Sequence, residues 1–405
     1  MEKWDAYRLH LTRAALLDFA GTLIWTAMMV YQVDYVGLTP LQLVLMGTAM
    51  ESAIFVFEIP TGIVADVYSR RLSFVIGVLL MGLAYLGQAV FPLFEALLLA
   101  QVVWGLGFTF TSGAYDAWMV DELGQERAGM AFVRSGQVAR GVSLGAIVIA
   151  GALGSIDLRL PIVAGALLTL ATGVFLALVM PETGFKPTPR EERTTFQTMA
   201  HTFHEGLRVV RGRPALLSIL AVGLFYGLFS EAWDRLWQTH LINSIGLPTF
   251  IALPTMVWFS AIVLAETGLG LLWAEVLRRR LDMNEGAAMG RALWGLTGLM
   301  ILSLVVYGLT QNFLVALLAF LAFNAARGLA APIYSTWSNM HIDSQVRATV
   351  LSMQSQTDAI GQIAGGPPLG ALGQRSLPLA FVASAAVLSP ALWLLRRALR
   401  RRGSA

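Results

Sequence analysis

Cysteine is absent from the 405 residues. That removes a disulfide framework, a thiolate nucleophile and any Cys-ligated metal together. Charge is nearly as scarce: 13% of residues are Asp, Glu, Lys or Arg, against roughly 25% in an ordinary soluble chain. With 56% hydrophobic residues, too little polar surface remains to coat a water-soluble domain, so the composition implies a polytopic membrane protein. The quick alternation of a transmembrane barrel, in strands of ~10 residues, is missing. A metalloprotease helix, a nucleotide P-loop and a nucleophile elbow are missing too, so neither an enzyme nor an ATP-driven pump is expected, and no cofactor is called for. The net charge of +3 does not point to nucleic acid; in a membrane protein, basic excess marks cytoplasmic loops.

What the chain does have is long apolar runs. A spanning helix needs roughly 20 such residues. That ruler selects twelve segments: 14–36, 41–64, 73–93, 96–120, 129–152, 160–180, 215–241, 249–276, 289–309, 312–335, 347–372 and 377–395. Turn residues punctuate them, as in Gly37-Leu38-Thr39-Pro40 and Gly246-Leu247-Pro248. The first span lacks the features of a cleaved signal peptide and is expected to be retained. Of the 28 Lys and Arg, 23 fall on one side of these spans, including Arg70, Arg71, Arg278, Arg279, Arg280 and the tail from Arg396. Only Arg159 and Arg375 fall on the other side, and Arg140, Arg235 and Arg327 lie within spans. By the positive-inside rule both termini are cytoplasmic.

The connection from Pro181 to Pro214 divides the spans six and six. Phe196, Met199, Phe203, Leu207 and Val210 share one helical face there, which reads as an interfacial amphipathic helix. His201 and His204 read as solvated residues on its polar face rather than a metal pair, and no metal site is expected. The expected organisation is thus 1–180, a linker at 181–214, and 215–405. The halves also repeat. Asp66, Arg70 and Arg71 recur 209 positions later as Glu275, Arg279 and Arg280, and Gly37-Leu38 recurs as Gly246-Leu247 at the same offset.

At Gly62-Ile-Val-Ala-Asp66-Val-Tyr-Ser-Arg70-Arg71 the chain resembles the major facilitator superfamily, whose loop between spans 2 and 3 reads G-x-x-x-D-R-x-G-R-R. Val67 and Ser69 depart from that pattern. Pro181-Glu182-Thr183, closing span 6, also looks like this superfamily. The resemblance implies an all-α membrane protein of twelve transmembrane helices in two pseudo-symmetric six-helix bundles. It further implies a cytoplasmic gate in which the loop aspartate helps hold the halves together. Here the gate candidates are Gly62, permitting close helix approach, Asp66, able to cap a helix or accept Arg, with Arg70, Arg71, Asp121, Glu275, Arg279 and Arg280. Asp121 is positioned to pair with Arg70 or Arg71. The alternative is a charge cluster that only marks topology.

Ionisable residues inside spans are expensive, and each is a functional-site candidate by default. Glu231 and Arg235 are four apart, the order that favours an internal ion pair, which would leave Asp234 a free acid. Glu51 and Asp358, on spans that the resemblance brings together, form a carboxylate pair suited to a proton or cation; the alternative is local hydrogen bonding to Gln354 or Gln362. These four acids, Glu51, Asp358, Glu231 and Asp234, are the coupling candidates. Arg140 and Glu266 are read as an ion pair between the halves, or else as substrate ligands. Cavity candidates are Trp25, Met29, Gln32, Tyr115, Asp116, Trp233, Arg235, Trp237 and Arg327, with Asp116 reaching Arg327 or capping the cytoplasmic closure. The Gly- and Pro-rich run 361–370 suits close packing and flexing of span 11.

The expected function is secondary transport by alternating access. The leading expectation is proton-coupled export of amphipathic or cationic small molecules, resembling the drug and metabolite efflux branch. Two motifs of that branch are not matched: Gln101-Val-Val-Trp104-Gly105 stands where proton-coupled members carry R-x-x-Q-G, and span 5 lacks a Gly-Pro pair. Alternatives are uptake or facilitated diffusion of a polar metabolite, and a lipid flippase or sensor on the same scaffold. The expected partners are a small-molecule substrate, protons and the lipid bilayer. A monomer, multi-pass in a bacterial inner (plasma) membrane, completes the expectation.

Overall fold

The computed structural model describes residues 4–187, 214–249, 252–340, 342 and 347–400. The linker segment expected to form an amphipathic helix, with His201 and His204, and the last arginines, Arg401 and Arg402, lie outside them. Among the described residues the secondary structure is entirely helical. In chain order come α1 (Ala6–Val30), α2 (Pro40–Val67), α3 (Arg70–Val90), α4 (Phe94–Thr111), α5 (Ala114–Leu123), α6 (Gln125–Ile156) and α7 (Arg159–Val179). The second half contains α8 (Pro214–His240), α9 (Thr255–Arg280), α10 (Gly286–Leu309), α11 (Phe313–Asn339), α12 (Arg347–Arg375) and α13 (Leu377–Arg400).

Two expectations change. The fourth span, read as continuous over 96–120, is two helices. Ser112 turns extended and Gly113 takes φ 71°, a left-handed conformation that glycine alone adopts without steric cost. And of the twelve expected spans, eleven are long and apolar enough to cross a bilayer. The exception is α12, long enough at 29 residues but interrupted by Gln354, Gln356, Asp358, Gln362 and Gln374. A helix this polar needs partners for its side chains inside a bundle.

The first and seventh spans end alike. A π-helical turn, Tyr31–Tyr35 or Leu241–Ile245, extends the α-helix and is followed by a glycine at positive φ, Gly37 (73°) or Gly246 (85°). Each turn is anchored at the same place. Tyr31 Oη donates to the Gln88 carbonyl (2.7 Å), and His240 Nε2 donates to the Tyr307 carbonyl (3.2 Å). Gln88 and Tyr307 both stand two residues before the ends of their helices, α3 and α10. The internal repeat thus extends to backbone geometry.

Two compact units make up the chain. Unit 1 is Met1–Leu38, Ala49–Thr194 and Ala252–Leu264; unit 2 is Thr39–Thr48, Thr195–Ile251 and Ala265–Ala405. Their internal packing follows one plan. In unit 1, α1 packs on α6 and α7, and α3 on α4 and α7; in unit 2, α8 packs on α12 and α13, and α10 on α11 and α13. Unit 1 has a core around Leu9, Phe74, Val78, Trp118, Met119 and Leu176. In unit 2, Trp233 is packed by Phe323 (3.9 Å between ring centroids), Tyr307 (5.2 Å), Phe320 and Phe381.

Candidate functional site

Within unit 2, helices α8, α11 and α12 enclose a cavity of about 420 Å³, inside the range of small-molecule sites. Tyr226, Phe229 and Ser230 come from α8, Arg327, Tyr334 and Ser335 from α11, and Gln354, Ser355, Asp358 and Gln362 from α12; Met300 of α10 closes one side. The spacing explains the wall. Gln354, Asp358 and Gln362 recur every fourth residue, and Arg327, Tyr334 and Ser335 fall at i, i+7 and i+8, so each set lines one helical face.

The same side of α12 is held against α8 by glycine. A Cβ at Gly361 would stand 2.6 Å from the Leu224 carbonyl oxygen and 2.8 Å from the Leu228 nitrogen, and one at Gly365 would overlap the Leu228 backbone. Reciprocally, a Cβ at Gly227 would overlap the Asp358 backbone. Helices α8 and α12 therefore touch main chain to main chain, which presses the polar stripe of α12 against the hydroxyls of α8.

Three charge contacts surround the cavity. Arg327 grips Asp234 with both terminal nitrogens, at 2.5 and 2.8 Å, a fork-to-fork geometry that fixes orientation as well as charge. Arg235 pairs with Glu231 at 3.4 Å, their side chains only 6% and 4% exposed. Gln362 Nε2 donates to Asp358 at 2.8 Å. Asp234 is therefore not the free acid expected, because an arginine 93 residues along the chain takes it. Asp116 is exposed on α5 of unit 1. Glu266, half-buried on α9, lies in the field of Arg327 and Asp234 within its own unit. Arg140 is exposed on α6 of unit 1, and Glu51 is half-buried on α2 of unit 1.

Of the nine residues expected to line a cavity, Arg327 alone lines this one. Trp233 and Arg235 are buried in the core of unit 2, and Trp237 packs on Phe320 at 4.3 Å. The apolar ring side of α8 faces α10, α11 and α13, while Tyr226 and Ser230 face the cavity. In unit 1, Met29, Gln32 and Tyr115 are buried. Gln32 Nε2 donates to Gln88 at 3.3 Å, and Tyr115 Oη bonds His10 Nδ1 at 2.7 Å. Trp25 stays 40% exposed, edge-on to Trp104 at 5.9 Å. Sequence reasoning overlooked Tyr226, Tyr334, Ser335 and Ser355 as wall residues; the signal was the polar periodicity of α12 and the residues spaced with Arg327 on α11.

The unit 1 residues expected at the cytoplasmic gate are joined by contacts within that unit. Arg70 forms an ion pair with Asp121 and lies 4.0 Å from Asp66. Arg71 donates its guanidinium to the Ala177 carbonyl and its backbone N–H to Glu182 (2.9 Å). Glu182 also accepts from Ser69 Oγ (2.7 Å), while Glu122 accepts from Thr183 and Gly184. All these residues belong to one unit, so the Arg70–Asp121 pair ties α3 to α5 and is not by itself a latch between halves. The cap of α3 is Ser69, accepting from Leu72 N–H at 2.9 Å, and not Asp66. At Gly62 a Cβ would meet nothing within 4 Å among the described residues. In unit 2, Glu275 pairs with Arg279 at 2.6 Å, the i, i+4 counterpart of Asp66 and Arg70; Arg280 is exposed at the end of α9.

With fold and contacts in place, comparison with known proteins is decisive at one level. The profile described as Major Facilitator Superfamily matches residues 14–366. The chain belongs to that superfamily. Accordingly it is a multi-pass membrane protein and a secondary transporter rather than an enzyme. Among superfamily relatives, it is 23% identical over 346 residues to the uncharacterized MFS-type transporter YxaM of Bacillus subtilis (strain 168), covering 82% of this chain and 80% of that one. Solved structures share the fold. A mutant of the nucleoside transporter NupG superposes with TM-score 0.77 at 14% identity, covering 97% of this chain and 99% of that one. An inward-facing bacterial homologue of the human lysosomal transporter Spinster gives 0.73 at 15%, covering 98% and 96%. The peptide transporter POT gives 0.71 at 15%, covering 96% and 94%.

Proposed function

We propose that this superfamily member carries a polar, hydrogen-bonding metabolite across the plasma membrane by alternating access, and that the unit 2 cavity is part of its substrate site. The observation that carries this reading is the wall itself. Two tyrosines, three serines, two glutamines, an arginine and an aspartate, beside Phe229, Met300 and Leu351, surround a volume suited to a small solute that combines hydrogen-bonding groups with an apolar part. The described functions of the structurally similar nucleoside and peptide transporters support uptake or facilitated diffusion of a polar metabolite over the efflux reading. A specific observation still favours export of amphipathic molecules as a second reading. Trp25, Trp104 and Phe108 form an aromatic group in unit 1 in which Trp25 and Phe108 are exposed, with Trp104 stacked on Phe108 at 5.5 Å.

The test is transport in proteoliposomes of the full chain, with and without a pH gradient. The panel contains labelled nucleosides, amino acids and dipeptides, with ethidium as an amphipathic cation. Accumulation or equilibration of a polar solute, lost in Gln354→Leu, supports the proposal. Transport of ethidium alone, driven by the pH gradient, overturns it in favour of the second reading.

A further inference from the structure

Three hydroxyl hydrogens of the cavity wall are already committed. Tyr334 Oη donates to the Ile219 carbonyl at 2.6 Å and Ser230 Oγ to the Gly227 carbonyl at 3.0 Å. Tyr226 Oη meets Thr297 Oγ1 at 2.6 Å, and Thr297 donates onward to the Leu293 carbonyl at 2.7 Å, so Tyr226 is the donor of that pair. Gln362 gives an amide hydrogen to Asp358, and Arg327 gives both terminal nitrogens to Asp234. What remains on the three hydroxyls is lone pairs, while Arg327 and Gln362 keep N–H groups beyond those already given. Gln354 adds a buried Oε1 with no hydrogen-bond partner, a group that costs stability unless something donates to it. Ser335 and Ser355 can adopt either role.

Charge points the same way. Arg327 is neutralised by Asp234, and Glu231 is matched by Arg235. Asp358 then stands on the wall bonded to an uncharged amide and, like Glu266, lies in the field of Arg327. Asp358 and Arg327 are the charged residues of the wall, and with Asp234, Glu231, Glu266 and Arg235 around them four acids stand against two arginines. A surface rich in acceptors and net negative is complementary to a ligand that brings both hydrogens and positive charge.

We infer that the cavity takes a solute with a primary ammonium head group, docked on Asp358 and reached by Gln354. This rests on the cavity being the substrate site and adds the chemistry of the head group. Its tail faces Phe229, Met300 and Leu351. At the ~30 Å³ that one water occupies, the volume holds roughly 14 non-hydrogen atoms, enough for a single-ring amine.

Three probes with one ring and different heads make the test: tyramine (ammonium), tyrosol (hydroxyl) and hydroxyphenylacetate (carboxylate). Each is titrated against the purified full chain, reading the shift in thermal unfolding. Tyramine is expected to bind about ten-fold or more tighter than the other two. Asp358→Asn should erase that preference, and Glu285→Gln, which removes an exposed acid paired with Arg291, should leave it. Gln354→Leu, expected to weaken tyramine several-fold, serves if Asp358→Asn is not monodisperse. Equal or tighter binding of hydroxyphenylacetate overturns the inference, as does a tyramine shift that survives Asp358→Asn or is lost in Glu285→Gln. Absence of any tyramine shift overturns it too. Transport of a neutral or anionic polar solute in proteoliposomes would at the same time leave the polar-metabolite function standing.

Discussion

Glycine-to-alanine substitution provides opposite outcomes from one chemical change. At Gly361 a new Cβ would lie 2.6 Å from the Leu224 carbonyl oxygen, where ordinary contact begins near 3.4 Å. The obstacle is main chain, so α8 and α12 must separate by about 0.8 Å, and overpacking of this kind costs about 1–3 kcal/mol. At Gly62, also within a helix, the same methyl meets nothing within 4 Å among the described residues. Both variants gain the same helix propensity, about 1 kcal/mol for Ala over Gly, so this gain cancels in the comparison. Gly361→Ala should therefore unfold below Gly62→Ala by about 1–3 kcal/mol. At ~2–4 °C per kcal/mol for a domain near 200 residues, that is a gap of roughly 2–12 °C. The assay is tryptophan-fluorescence melting of each detergent-purified variant beside wild type. Equal midpoints, or Gly62→Ala the lower of the two, would refute the main-chain contact between α8 and α12.

Glu231 and Arg235 form a pair with almost no exposure. Glu231→Gln should cost about 3–5 kcal/mol, whereas Glu231→Leu combined with Arg235→Met should cost much less; melting of the single and double variants measures the difference. Arg70→Ala should lower stability by about 1 kcal/mol, since the pair with Asp121 is partly exposed, and Asp121→Asn should lower it by a similar amount without adding to it in the double variant. Outside the spans, the Arg159 guanidinium holds the Asp157 carboxyl below the usual carboxylate range. A depressed value means the contact stabilises the fold above that range and is lost as pH falls through it. Wild type should therefore lose its advantage over Asp157→Asn on acidification below about pH 4, read as the difference between their melting points across pH.

How much of this was legible follows the range of each interaction. Runs of apolar residues are local, so eleven spans could be read from hydropathy. Glu231 and Arg235 were legible because the helix itself places residues four apart together. Asp234 and Arg327 are 93 residues apart, and no local pattern says which acid an arginine on another helix will take. The cavity was hidden for a related reason. The polar stripe of α12 was visible, but its direction depends on Gly361 and Gly365 meeting α8, a contact between backbones that leaves no mark in hydropathy. Aromatic residues misled: Trp233 suits a ligand as well as it suits Phe323 and Tyr307, and packing decided for the core.

Because the chain contains no cysteine, a single introduced thiol reports on one place without background. Ser355, on the cavity wall, replaced by Cys and treated with a small maleimide, tests most directly whether this cavity holds the transported solute. The account predicts that the polar solute found in the proteoliposome assay slows labelling of Ser355→Cys in proportion to its occupancy. Labelling at an unchanged rate under saturating solute, in a variant that still transports it, would contradict the assignment of the substrate site to unit 2.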